Sequence, residues 1–246
     1  MEFYRSPKSR LWGVRFKILH FAKKKGEFLM NVNSQKKSIY KITVCAVMIA
    51  LGTVLSMYKV WEMPLGGSIT PLSMLPNVFI SVMYGIPWGL VTAFISSAIQ
   101  LFLSLGEVLS WGLTPVSLVG TLLLDYIMAY TVIGFAGIWR KNGYLGLCIG
   151  KALVKILHRQ INLEKIWHKD GCMGVCIGTA FAVILRFICH YISGVIIFDI
   201  WCPWANVWVY SLCYNGAYML PELVLTVIGT VLLFRSKQIK RFVAAG

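Results

Sequence analysis

Residues 63–106, MPLGGSITPLSMLPNVFISVMYGIPWGLVTAFISSAIQLFLSLG, contain no Asp, Glu, Lys or Arg. Crossing a bilayer takes about 20 predominantly apolar residues, so this stretch has the length of two spans. Gly85-Ile86-Pro87 supplies a place for the chain to break between them. Whether the stretch holds one helix or two decides the orientation of everything after it.

Charge decides between the two. Of 24 Lys and Arg, eleven lie in residues 1–41, seven between Arg140 and Lys169, and four between Arg235 and Arg241. Basic residues concentrate in loops on the cytoplasmic side. One helix in 63–106 would put the 140–169 cluster outside, whereas two put 22 of the 24 basic residues inside. The pattern therefore predicts six spans, near 39–58, 72–85, 88–106, 113–138, 171–197 and 208–234, with both termini cytoplasmic. The expected fold class is an all-α, multi-pass integral membrane protein.

Composition agrees. The 246 residues are 58% hydrophobic and 13% charged, and mean hydropathy is +0.72; a soluble domain carries roughly 25% charged residues. The net charge of +15 is explained by topology, so no nucleic-acid partner is expected. Seven scattered cysteines, with Cys172 and Cys176 spaced C-x3-C and lacking a second pair, read as buried thiols and not as a zinc site.

Residues 1–38 read as a basic cytoplasmic extension, with Met30 an alternative start and no signal peptide before Ile42. Residues 39–246 form the membrane domain, interrupted by the basic loop at 140–170. Both basic segments are amphipathic enough to lie on an anionic leaflet. Around Gly150-Lys151 the chain is similar to a phosphate-binding loop, but Leu145 occupies the first glycine position and Ala152 replaces Ser or Thr. No ATPase, no cofactor and no catalytic constellation is expected.

Charge inside a span costs about 2.5–3.5 kcal/mol per central residue, so Asp125, Arg186, His190 and Glu222 demand a reason. Arg186 and His190 share a helix face at i, i+4, and Tyr126, Tyr210, Tyr214 and Asn215 are placed to complete a polar pocket. Arg186 paired with Asp125 or Glu222 would serve packing alone; Asp125, His190 and Asn215 suit a ligand. The external loops are rich in Trp (Trp61, Trp111, Trp201, Trp204, Trp208), an interfacial belt in the plain reading and a stacking surface in the other. Ala46-xxx-Ala50 on the first span allows close approach of another helix.

Several stretches resemble one known family. They are Met63–Thr70 with Ser73-Met74-Leu75-Pro76, Leu123-Leu124-Asp125-Tyr126, Arg186–His190 with Ile192-Ser193-Gly194, and Tyr210–Gly216 leading to Met219-Leu220-Pro221-Glu222. Over residues 38–235 the chain is similar to the thiamine-specific S-components (ThiT/YuaJ-like) of energy-coupling factor transporters. That resemblance implies a six-helix subunit of a bacterial cell membrane that captures thiamine outside. It delivers the vitamin inward with a membrane coupling protein and two ATP-hydrolysing subunits. It places Asp125, Tyr126, His190, Gly194, Phe198, Tyr210 and Asn215 around the vitamin, Gly66, Gly67 and Ser68 in a lid, and Ala46 and Ala50 at the coupling protein. Asp125 is shorter than the Glu of some relatives, and Phe198 stands where a stacking Trp can occur. A proton-coupled carrier acting alone, with Asp125, His190 and Glu222 as relay, is the alternative.

Overall fold

The structure, a computed structural model, describes residues 35–139 and 172–239. The expectations for the basic extension before residue 35, for the loop at 140–170 and for the extreme C-terminus lie outside the described residues. The chain divides into two compact units, Met1–Val44 and Cys45–Gly246. In the first, the described residues are helical, and Thr43 Oγ1 donates to the Ile39 carbonyl at 3.0 Å.

Six helices are found among the described residues: α1 Gln35–Met57, α2 Leu75–Tyr84, α3 Ile86–Ser110, α4 Pro115–Trp139, α5 Cys172–Ile196 and α6 Val207–Arg235. Five are long and apolar enough to cross a membrane. The exception is α2, ten residues and so about 15 Å long, half the hydrocarbon thickness. The break between α2 and α3 falls at Gly85 (φ +91°), the left-handed backbone that glycine tolerates.

Burial explains how so short a helix is kept. Eight of its ten residues, Pro76 to Met83, are buried, and Ser81 ties it to α4. Ser81 Oγ donates to the Gly134 carbonyl at 2.5 Å and accepts from the Gly137 N–H at 2.8 Å. The long helices instead leave large apolar side chains exposed, among them Val116, Phe102 and Leu232, as a lipid-facing surface requires. Inside, α5 packs on α4 and α6, and α3 on α2 and α4. Interior hydroxyls close on their own helices: Thr53, Thr92, Thr121, Thr179 and Thr230 each donate to the carbonyl four residues back.

Helix starts at the pocket end are capped. Thr114 accepts from the Ser117 N–H ahead of Pro115 at the start of α4, and the Asn206 side chain accepts from the N–H groups of Trp208 and Val209 at 3.0 and 3.2 Å. Asn206→Ala is expected to lower stability by about 1 kcal/mol, read as a modest drop in thermal midpoint in detergent.

Between α1 and α2 the chain folds into a hairpin, β1 Trp61–Glu62 antiparallel to β2 Ser68–Ile69. The pairing is Trp61 with Ile69 and Glu62 with Ser68, around a 3-10 turn at Pro64–Gly66. Leu65 and Gly66 both have positive φ (65° and 88°). For a leucine that backbone costs about 1 kcal/mol, and the Met63 N–H to Gly67 carbonyl bond at 2.6 Å helps hold it.

Candidate functional site

Helix α4 is not α-helical throughout. Leu122–Met128 form a π-helical stretch and Val132–Trp139 a 3-10 stretch. The wider π turn changes which residues face inward, and such turns recur at functional sites. Asp125 and Tyr126 lie in the middle of this one.

Asp125 meets α5 through two hydrogen bonds. His190 Nδ1 lies 2.8 Å from Asp125 Oδ1, and Ser193 Oγ donates to Oδ2 at 2.5 Å. On its other side, His190 Nε2 accepts from Arg186 Nε at 3.4 Å. An arginine is donor only, so this contact favours the imidazole tautomer with its proton on Nδ1, aimed at the carboxylate. Each carboxylate oxygen keeps an acceptor position beyond those two bonds.

Helix α6 contributes the opposite wall. Asn215 Nδ2 donates to the Ser211 carbonyl (3.0 Å), to Ser211 Oγ (3.2 Å) and to the His190 carbonyl (3.3 Å), while its Oδ1 accepts from Tyr218 Oη at 2.8 Å. Gly194 makes this proximity possible: a Cβ there would lie 2.3 Å from Ser211 Oγ. Rings are packed around the space: Tyr210 against Tyr214 (5.9 Å), Tyr214 against Tyr218 (6.3 Å), and Trp111 edge-on to Phe198 (5.9 Å).

These side chains enclose a pocket of about 670 Å³, mouth included. It is lined by Leu65, Gly66 and Gly67 of the hairpin, Trp111, Thr121, Asp125, Tyr126, His190, Gly194, Phe198, Tyr210, Ser211, Tyr214, Asn215 and Tyr218. Aromatic walls with a few converging polar groups are the usual make-up of a small-molecule site. Asp125 is the one acid in the lining and no Lys or Arg is present. The walls thus offer one carboxylate, an imidazole, an amide and many aromatic faces, a set matched to a cationic heterocycle.

All seven side chains expected to bind, Asp125, Tyr126, His190, Gly194, Phe198, Tyr210 and Asn215, line this single pocket, and so do Gly66 and Gly67. Ser68 does not: it lies in β2 opposite Glu62, so the expected loop is a paired hairpin whose turn alone meets the pocket. Ala46 and Ala50 are both exposed on α1. The alternative in which Arg186 pairs with Asp125 or Glu222 is not the arrangement found. Among the described residues the ion pairs are Lys59–Glu62 and Lys59–Glu107, His190 meets Asp125 through Nδ1, and Arg186 stacks over the Tyr130 ring at 4.2 Å. Glu222 bonds Thr70. Of the loop tryptophans, Trp61, Trp204 and Trp208 are exposed as a belt requires, while Trp111 lines the pocket. Sequence reasoning passed over Thr121, Ser193 and Tyr218; the i, i+4 spacing of Tyr210, Tyr214 and Tyr218 was the signal for the last.

Outside the spans, Lys59 stands between Glu62 (2.5 Å) and Glu107 (4.0 Å). Its bond to Glu62 raises the ammonium above its ordinary range, burial opposing and Glu107 adding.

Known proteins agree with this architecture. A solved structure of ThiT from Listeria monocytogenes superposes with a TM-score of 0.59, covering 82% of this chain and 97% of that one at 19% identity; that match concerns the fold. The thiamine transporter ThiT of Bacillus subtilis is 30% identical over 207 residues, 82% of this chain and 93% of its own length. The family model described as thiamine transporter protein matches residues 42–242. Over that range, which takes in the pocket and its hairpin, the chain belongs to the thiamine transporter protein family.

Proposed function

We propose that this chain is the thiamine-capturing subunit of an energy-coupling factor importer. The observation that carries the reading is the pocket's single carboxylate, Asp125, held by His190 and Ser193 among aromatic walls with no cation in the lining. Thiamine has a fixed thiazolium charge and an aminopyrimidine. Asp125 opposes the charge, the rings stack on both heterocycles, and Asn215 and His190 meet the pyrimidine's donors and acceptors. The hairpin covers the vitamin from the external side, and both termini are cytoplasmic.

Transport needs partners in this reading. The sequence carries no phosphate-binding loop of its own, and the exposed Ala46 and Ala50 give a smooth strip of α1 against which a coupling protein docks. That protein and two ATPases supply the energy for inward release.

Two measurements test this. Thiamine titrated into detergent-purified, ligand-free protein is expected to quench tryptophan fluorescence, since Trp111 lines the pocket, and to bind one molecule per chain by calorimetry. Folded protein that ignores thiamine overturns the ligand. Uptake into vesicles is expected only with the coupling protein, the ATPases and ATP; uptake by the chain alone under a pH gradient overturns the partnership and favours a proton-coupled carrier. Asn215→Ala is expected to weaken thiamine binding about tenfold, because its wall loses the amide and leaves Tyr218 Oη without an acceptor. Unchanged affinity removes Asn215 from the site.

A further inference from the structure

Three successive turns of α6 meet three evenly spaced points of the hairpin. Tyr214 Oη donates to the Pro64 carbonyl. The Tyr218 ring lies where a Cβ on Gly67 would stand, 2.9 Å from its Cε1. Glu222 Oε1 accepts from both the Thr70 N–H and Thr70 Oγ1, the latter at 2.9 Å. The α6 residues recur every four positions, one helix face, and the hairpin residues every three. The hairpin is therefore laid along α6 as rungs on a rail.

The third rung differs from the others in lying outside the pocket. Glu222 is 2% exposed and Thr70 9%, and neither lines the cavity. Ser73 Oγ bonds Thr70 Oγ1 at 2.8 Å, completing a hydroxyl chain into the carboxylate. Arg186, the buried cation of α5, contacts His190 behind the pocket. At the hairpin's outer end the contacts are of another kind. Lys59 meets Glu62 and Glu107 through half-exposed side chains, where water and salt weaken an ion pair. Hydrogen bonds to a buried carboxylate are shielded from both.

Resting on the thiamine reading of the pocket, we propose that Glu222 is a positioning residue of the lid. Its grip on Thr70 is the fixed inner point about which the hairpin opens, and it sets how long a captured ligand stays. The weak outer contacts release first; the Glu222 rung keeps Gly66 and Gly67 registered over the pocket for reclosing.

The experiment measures thiamine release by stopped-flow fluorescence. Glu222→Ala is expected to speed dissociation about tenfold or more with association little changed. Glu222→Gln keeps an oxygen for Thr70 and is expected to stay within about threefold of wild type. In a background with residues 61–69 replaced by a Gly-Ser linker, Glu222→Ala is expected to add nothing. An equal increase in that background, or no increase in the native one, overturns the proposal. Thr70→Val, isosteric and made from the hairpin side, is expected to raise the dissociation rate in the same direction and stands in where Glu222→Ala does not fold; an unchanged rate there overturns it too. Hydrogen exchange on ligand-free protein separates the two readings. Loss of protection across 61–70 in Glu222→Ala supports the latch even if wild-type protein binds no thiamine, and unchanged protection overturns it.

Discussion

Asp125→Asn is expected to weaken thiamine binding about 100-fold while leaving the protein folded. The substitution keeps shape and removes the pocket's one negative charge. Two unit charges about 4 Å apart interact by about 4 kcal/mol at an effective dielectric of 20, and part of that is offset by stripping water from the carboxylate. A net loss of about 3 kcal/mol corresponds to about two decades in Kd. Asn adds a second penalty: its NH2 must face either His190 Nδ1–H or Ser193 Oγ–H, both donors toward Asp125 in the native site. Calorimetric titration gives the affinity and thermal unfolding the fold. A Kd within threefold of wild type would show that the thiazolium is held by rings alone.

Gly178→Val is expected to give the largest stability loss in the membrane domain, about 3 kcal/mol. A Cβ at Gly178 would lie 2.1 Å from the carbonyl oxygen of Ala136, a residue 1% exposed in the 3-10 part of α4. The obstructing atom is backbone, so no rotamer relieves the overlap; α4 and α5 must separate. That seam also positions Asp125 against His190, so binding falls along with stability. Gly216, in the interior of α6 with nothing within 4 Å of its Cβ position, is the control. Gly216→Ala is expected to raise stability by about 0.5–1 kcal/mol through helix propensity. Thermal midpoints in detergent compare the pair, and similar midpoints would mean that the helices adjust more freely than their backbone contact implies.

Much of this protein was legible without coordinates, for reasons that differ by feature. Membrane class follows from apolar runs and basic clusters, because insertion energy sums residue by residue. The helix break at Gly85 was readable since glycine and the following Pro87 act locally. The candidate site was legible through resemblance: Asp125, His190 and Asn215 sit in quotable motifs, and all line one cavity. Physics alone had flagged Asp125 and His190, with Arg186 and Glu222, as costly polar groups in apolar spans without saying which faced which.

The remainder was decided through space. That α2 is a buried half-length helix depends on Ser81 reaching Gly134 and Gly137, more than fifty residues away in sequence. The π turn that carries Asp125 inward has no composition of its own, since Leu122–Met128 would serve equally in a regular helix. Arg186 found an aromatic ring and an imidazole, and Glu222 found a backbone N–H 152 positions away. By itself the sequence determined that the chain lives in a bilayer, where its helices run and which polar groups had to be paired. Only the tertiary structure decided the pairing, because a buried polar group takes the partner that packing brings within about 3 Å.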